Sequence, residues 1–428
     1  MGWADWLGAG AGEAGRAVAA AEALWQRGRQ LEAVEALGAA LEGAPASDRA
    51  RAGLWVALGE CRLELDELAG ARAAFLEAIK VLGAGEGDQE LVLRARVGLT
   101  ECLMVEGDAD AVDRALAPVR DRLGLEGDAR LRERAGAVAL AVAVAAGADH
   151  QVRALELALA ELGRLGAAGS RWRVTMGVGR MLELRAQPLH AVEWLAAARS
   201  GETAASWPAG LGPAAYAEAR VQVELGRLVE ADLAIEVALG AARAQGDRGA
   251  LRTCLGLAVD LGVALGVAGG TVARLLEAAD LARDNDDPRG RARLLMRALT
   301  TALGADLPEA GAVADALADV LAMLGPSALQ PDDAFPVATA LADAGRAPAA
   351  TDVLVRASQL AFGNGEAGSA AACLAEAARM AQRSGEGDLA SAMWEEVVEL
   401  GVAYGLEDQA AWESEWRHRF PDSAGAGR

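Results

Sequence analysis

Few side chains in this sequence are spaced to do covalent or metal chemistry. The histidines are His150, His190 and His418, and only His190 has a ligand-type residue, Glu193, one helical turn away. Two ligands lack the third that a zinc site requires, so this pair reads as a surface pair. Cys61, Cys102, Cys254 and Cys373 form no CxxC. Cys61 and Cys102 each follow a glutamate in equivalent apolar stretches, which suits small core residues better than ligands or half-disulfides. No nucleophile elbow, phosphate-binding loop or Gly-rich turn after a strand occurs, and the carboxylates are scattered. The expectation is therefore no enzyme: no catalytic residue, no cofactor and no metal.

The arginines are more suggestive. Arg289, Arg293 and Arg297 recur at i, i+4 and i+8, while Ala292, Leu295, Met296 and Leu299 form the apolar stripe of the same segment. Three guanidinium groups on one helix side suit carboxylates. The competing reading is that they pair with acids on a neighbouring element and leave a neutralised, solvated face.

The elements that must position these residues are clearest from Ala52 to Gly83. Leu54, Leu58, Cys61 and Leu65 recur at helical spacing; Leu68, Ala71, Phe75, Ala78 and Leu82 mark a second stripe. Only a few residues separate them, with Asp66 as candidate N-cap. So short a connection forces an antiparallel hairpin. Trp55, Leu58, Gly59, Ala71, Phe75 and Ala78 resemble the tetratricopeptide (TPR) pattern W-x2-L-G-x2-Y…A-x3-F, with Arg62 in the Tyr slot and Gly83 in the final Pro slot. Gly59 would let the helices approach, and Trp55 and Phe75 would fill the space between hairpins.

The unit recurs. Gly87-Asp88, Gly107-Asp108 and Gly127-Asp128 punctuate the chain, Gly ending one helix and Asp capping the next. Hairpin stripes are expected at Ala33, Leu37 and Ala40, with Pro45 after the helix. Further stripes follow at Val112, Leu116 and Val119; at Ala154, Ala158 and Glu161; and at Ala191, Leu195 and Ala198. Later ones are Ala231, Ile235 and Ala238; Ala350, Leu354 and Ala357; and Ala390, Trp394 and Val397. The resemblance implies an all-α, right-handed superhelical solenoid of about ten antiparallel helix pairs over 17–405. Bends are expected near 200–213, 283–288 and 325–336, the first carrying Trp207. Residues 1–16, with Trp3 and Trp6, are expected to be a flexible lead-in. A capping helix is expected over 406–420, with Trp412, Trp416 and Phe420 at i, i+4 and i+8, and a disordered tail over 421–428.

In the family, the first helix of each hairpin lines the concave groove. On that basis Arg173, Arg180, Arg220, Arg289, Arg293 and Arg297 are the candidate partner-binding residues. The implied function is a non-catalytic scaffold or adaptor that binds a protein or peptide, with an acidic segment or C-terminal carboxylate as occupant. The alternatives are a peptide- or ligand-sensing regulator, or an accessory subunit of a larger enzyme assembly. The terminal hairpins are candidates for self-association. A formal net charge of −21 disfavours nucleic acid and anionic membrane surfaces. No apolar run is long enough to span a bilayer, and no basic region precedes an apolar core as in a secretory signal. These features suggest a cytoplasmic protein.

Overall fold

A computed structural model describes residues 12–27, 29–43, 47–65, 67–83, 89–118, 129–200, 208–324 and 331–421. Those residues form helices joined by turns, with no strand among them. The chain divides into two compact units, Met1–Leu251 and Arg252–Arg428. In the first, the pairs are α1 (Gly12–Gln26) and α2 (Gln30–Glu42), α3 (Asp48–Glu64) and α4 (Leu68–Leu82), α5 (Gln89–Glu106) and α6 (Ala109–Leu116). They continue with α7 (Ala129–Ala145) and α8 (Val152–Arg164), α9 (Ala168–Leu184) and α10 (Pro188–Arg199), α11 (Leu211–Glu224) and α12 (Leu228–Gln245). Helix α13 (Arg248–Ala264) lies mostly in the second unit and pairs with α14 (Ala268–Asp284). That unit continues with α15 (Pro288–Gly304) and α16 (Ala310–Leu324), α17 (Pro331–Asp343) and α18 (Ala347–Gly363), α19 (Ala367–Arg383) and α20 (Gly387–Tyr404), then α21 (Gln409–Arg419).

The helices end on a regular beat. Left-handed backbone recurs at Gly226, Gly246 and Gly266, and again at Gly345, Gly365, Gly385 and Gly405. At the first of these, Gly226 N–H donates to the Val223 carbonyl and Arg227 N–H to Gln222, the paired bonds that close a helix C-terminus. Gly107 adopts φ +84° and the Asp108 carboxylate accepts from Ala111 N–H at 2.8 Å, so both expected roles are filled there. Gly87-Asp88 and Gly127-Asp128 include residues outside those described. Asp66 also lies outside them, and Glu67 occupies the N-cap position of α4 without a side-chain bond.

Arg283–Pro288 makes an ordinary turn rather than a break: Asp286 is left-handed, Asp287 caps α15 through Gly290 N–H, and Pro288 starts the helix. Pro213 falls in the first turn of α11, and Pro336 sits inside α17. Trp207 and residues 325–330 are outside the described set, as are Trp3, Trp6, Pro45 and Val119.

Most expected stripes are buried: Ala71, Phe75 and Ala78; Ala191, Leu195 and Ala198; Ala231, Ile235 and Ala238; Ala350, Leu354 and Ala357; Ala390, Trp394 and Val397. In α8 the register differs by one residue. The buried stripe is Leu155, Leu159 and Leu162, because leucine buries more apolar area than the alanines beside it. Glu161 instead turns outward to Arg164. At the C-terminal end, Trp412 is buried against the second unit's core, with Trp416 and Phe420 partly buried beside it. Glu415 joins α21 to Arg379 of α19 at 2.7 Å. The aromatic stripe of α21 thus faces the core of the second unit.

Candidate functional site

The first helices of successive hairpins in the first unit carry charge into its interior. Glu60 of α3, Glu101 of α5, Arg134 of α7 and Arg173 of α9 are all buried. Arg134 Nη1 donates to Glu60 at 2.8 Å and its Nε to Glu101 at 2.7 Å. Arg173 Nε donates to the other Glu101 oxygen at 3.0 Å and its Nη1 to the Leu63 carbonyl at 3.0 Å. Ser170 Oγ adds a 3.2 Å bond to Glu101. Glu64 lies 3.6 Å from Arg173 and 3.3 Å from Arg130, so Glu60, Glu64 and Glu101 are balanced by Arg130, Arg134 and Arg173.

Burial pushes the Glu101 carboxyl up, but the adjacent Arg134 and Arg173 outweigh it and hold the group down at about 2. A carboxyl depressed on folding contributes stability that is complete above its unfolded pKa and is lost as pH falls through the folded one. The Glu101 contribution should therefore persist at neutral pH and fade from mildly acidic conditions down toward pH 2. Titrating the melting temperature of the wild type against Glu101→Gln should show the two acid limbs converging; parallel limbs would exclude this assignment.

Its four central members are buried, so the network orders helices. Close helix packing surrounds it. A Cβ placed on Gly177 of α9 would lie 2.6 Å from Met104 Cβ of α5, and one on Gly107 would lie 3.0 Å from Arg180 Cβ. Only absent side chains let these helices approach so closely. Close packing of α5 against α9 thus surrounds the network.

The six candidate arginines are accordingly divided. Arg173 has no exposed surface and is held by acids, so it is a residue of the interior. Arg180 and Arg220 both pair with Glu183, Arg220 at 3.1 Å. Arg297 is exposed and lies 3.5 Å from Asp260 on α13. Arg289 and Arg293 are exposed on α15, and neither has an ion pair among the described residues. Pairing with acids thus accounts for four of the six. The sequence carries one sign of the network: Arg134 falls in the apolar stripe of Leu131, Val138 and Ala141, where a charge must find a partner.

Among the described residues, no three His, Cys, Asp or Glu side chains converge as a metal site would require. All four cysteines are buried free thiols. Burial raises the Cys102 thiol to about 12 and the Cys373 thiol to about 11, which keeps both protonated and poorly nucleophilic at neutral pH. No described helix is long and apolar enough to cross a membrane.

No family model and no curated protein matches the chain. Solved structures do resemble it. The TPR domain of P58(IPK) aligns over 97% of this chain and 100% of its own, at 12% identity and a TM-score of 0.34. A Rap protein complexed with competence and sporulation factor aligns over 94% and 99%, at 11% identity and 0.44. Aspartyl phosphate phosphatase F from Bacillus subtilis aligns over 81% and 98%, at 8% identity and 0.31. Likenesses this distant assign no function. What carries the fold is the hairpin itself: Gly59 meets the face of Phe75, and Ala71 and Ala78 are buried in their expected small-residue slots. The chain is a TPR-like, all-α helical-repeat protein.

Proposed function

We propose that this protein is a non-catalytic scaffold or adaptor that holds an acidic segment, or a C-terminal carboxylate, of a partner protein on the exposed face of α15. The observation that carries this reading is the pair Arg289 and Arg293: both are exposed and without an ion pair in a chain of net charge −21. Buried Ala292, Leu295 and Leu299 fix the helix from behind, so the two guanidinium groups are presented on a rigid surface. Arg297 extends the row but shares its charge with Asp260. Carboxylates would be held by charge-assisted, bidentate contacts. The buried free thiols fit a reducing compartment such as the cytoplasm.

The test is binding of a labelled oligo-glutamate peptide with a free C-terminus, read by fluorescence anisotropy. Arg289→Glu with Arg293→Glu should abolish binding and leave the melting temperature nearly unchanged, because both side chains are exposed. Affinity of the wild type should fall as salt rises. Equal binding by the double variant would refute the assignment.

A further inference from the structure

Within the first unit, α8, α9 and α10 together line an open cleft of about 380 Å³. Glu156 and Leu159 from α8, and Arg171 and Thr175 from α9, line it at helical spacing, and α10 adds Glu193 and Trp194. Leu159 is buried, and Trp194 is half-buried against the core, so the cleft has one aliphatic and one aromatic wall. The Thr175 hydroxyl is already committed to the Arg171 carbonyl at 2.8 Å. Glu156 meets only the well-exposed Arg153, at 2.9 Å. Glu193 is exposed and has no ion pair among the described residues.

We propose that this cleft anchors an arginine or lysine side chain presented by a basic segment of a partner protein. Three features select that occupant. Glu193 brings a carboxylate with no ion pair among the described residues to the cleft, on a chain whose overall charge is −21. An indole face beside carboxylates attracts a cation, and a guanidinium stacks on it as well as pairing with a carboxylate. The volume is near the lower end of the range for small-ligand sites, about 300–1,000 Å³, which suits one long side chain better than a large cofactor. The aliphatic stem lies along Leu159 and Trp194 while the charged head reaches Glu193.

A labelled oligo-arginine peptide, followed by fluorescence anisotropy on the full chain, tests this. Glu156→Gln with Glu193→Gln should weaken binding about tenfold, the scale of losing charge-assisted contacts on a solvated rim. Glu224→Gln with Glu230→Gln removes the same charge from exposed positions of α11 and α12 and should leave affinity within about twofold. Trp194→Ala should weaken binding and Trp194→Phe should largely preserve it, which separates loss of the aromatic wall from misfolding. Equal loss in both glutamate pairs would mean that the peptide coats a diffuse acidic surface, and the proposal would fall. So would unchanged binding by the cleft pair, or wild-type affinity in Trp194→Ala. Oligo-arginine affinity is expected to survive Arg289→Glu with Arg293→Glu, which keeps this outcome independent of the α15 site.

Discussion

Glu101→Ala is expected to destabilise the first unit by about 3–5 kcal/mol, the cost of removing one partner from a buried charge cluster. The loss arises from what remains. Arg173 would lose its buried carboxylate and be left with the more distant Glu64, at 3.6 Å, beside the neutral Leu63 carbonyl and Ser170 hydroxyl, while Arg134 would keep Glu60. Neither arginine can reach water without separating α5 from α7 and α9, and Arg134 Nη2 already lacks a hydrogen-bond partner among the described residues. Hydrogen exchange should rise across α3, α5, α7 and α9, whose side chains the network joins, and stay unchanged in α19 and α20. The control is Glu60→Leu and Glu101→Leu combined with Arg134→Met and Arg173→Met, which removes all four buried charges of the cluster. If desolvation is what makes the single change costly, the quadruple variant should be more stable than Glu101→Ala. A single variant within about 1 kcal/mol of wild type would show that the network contributes little.

That network also shows where the sequence was silent. Hairpins were legible because apolar residues recur at the helical period and the turns keep a fixed beat. The beat continues where glycine is missing. Ala186, Asp286 and Asp306 adopt φ of 56°, 55° and 52°, each twenty residues from a left-handed position or from another of the three. Side chains there disguise the turn, since left-handed backbone is normally announced by glycine. Arg283–Pro288 therefore resembles an interruption in the sequence and is a regular turn in the structure. In α8, alanines and leucines stand side by side, so spacing alone does not choose between Ala154–Ala158 and Leu155–Leu159; packing does.

Partner choice among the arginines was less legible still. Helical spacing places Arg289, Arg293 and Arg297 on one side of a helix, and that much is local. Whether an arginine is free depends on residues far away in the chain. Arg173 meets Glu101, Arg220 meets Glu183 and Arg297 meets Asp260, each across a turn or several hairpins. Glu60 and Glu101 carried a faint signal, a carboxylate directly before a core cysteine in two successive repeats. A buried glutamate and a solvated one look alike until the opposing helix is known. The cleft was invisible for the same reason: it is lined jointly by α8, α9 and α10, a property of tertiary packing that no stripe encodes.

Phe75→Ala should cost about 3–5 kcal/mol, at the upper part of that range, because the hole cannot be refilled. The ring is fully buried between the second and third hairpins. A Cβ on Gly59 of α3 would lie 2.6 Å from ring atom Cε1, and one on Gly98 of α5 would fall inside the ring's van der Waals envelope. The ring is therefore sandwiched between two residues that have no side chain to swing into a cavity. The nearest turns of α4 offer the small, already buried Ala71, Ala74 and Ala78 and the partly buried Ile79. This geometry predicts a reversal of sign. In the wild type, Gly98→Ala should destabilise by about 1–3 kcal/mol, since the new methyl overlaps the ring and must displace it. In the Phe75→Ala background the same methyl enters empty space, removes a helix-interior glycine, and should restore stability by about 1 kcal/mol. Chemical denaturation of the four proteins gives the coupling directly. Hydrogen exchange in Phe75→Ala should rise over residues 52–118 and stay at its wild-type rate around Trp394, because each hairpin is stabilised by its neighbours. Uniform loosening of the chain would contradict local stacking, and additive effects of the two substitutions would contradict the ring's placement between Gly59 and Gly98.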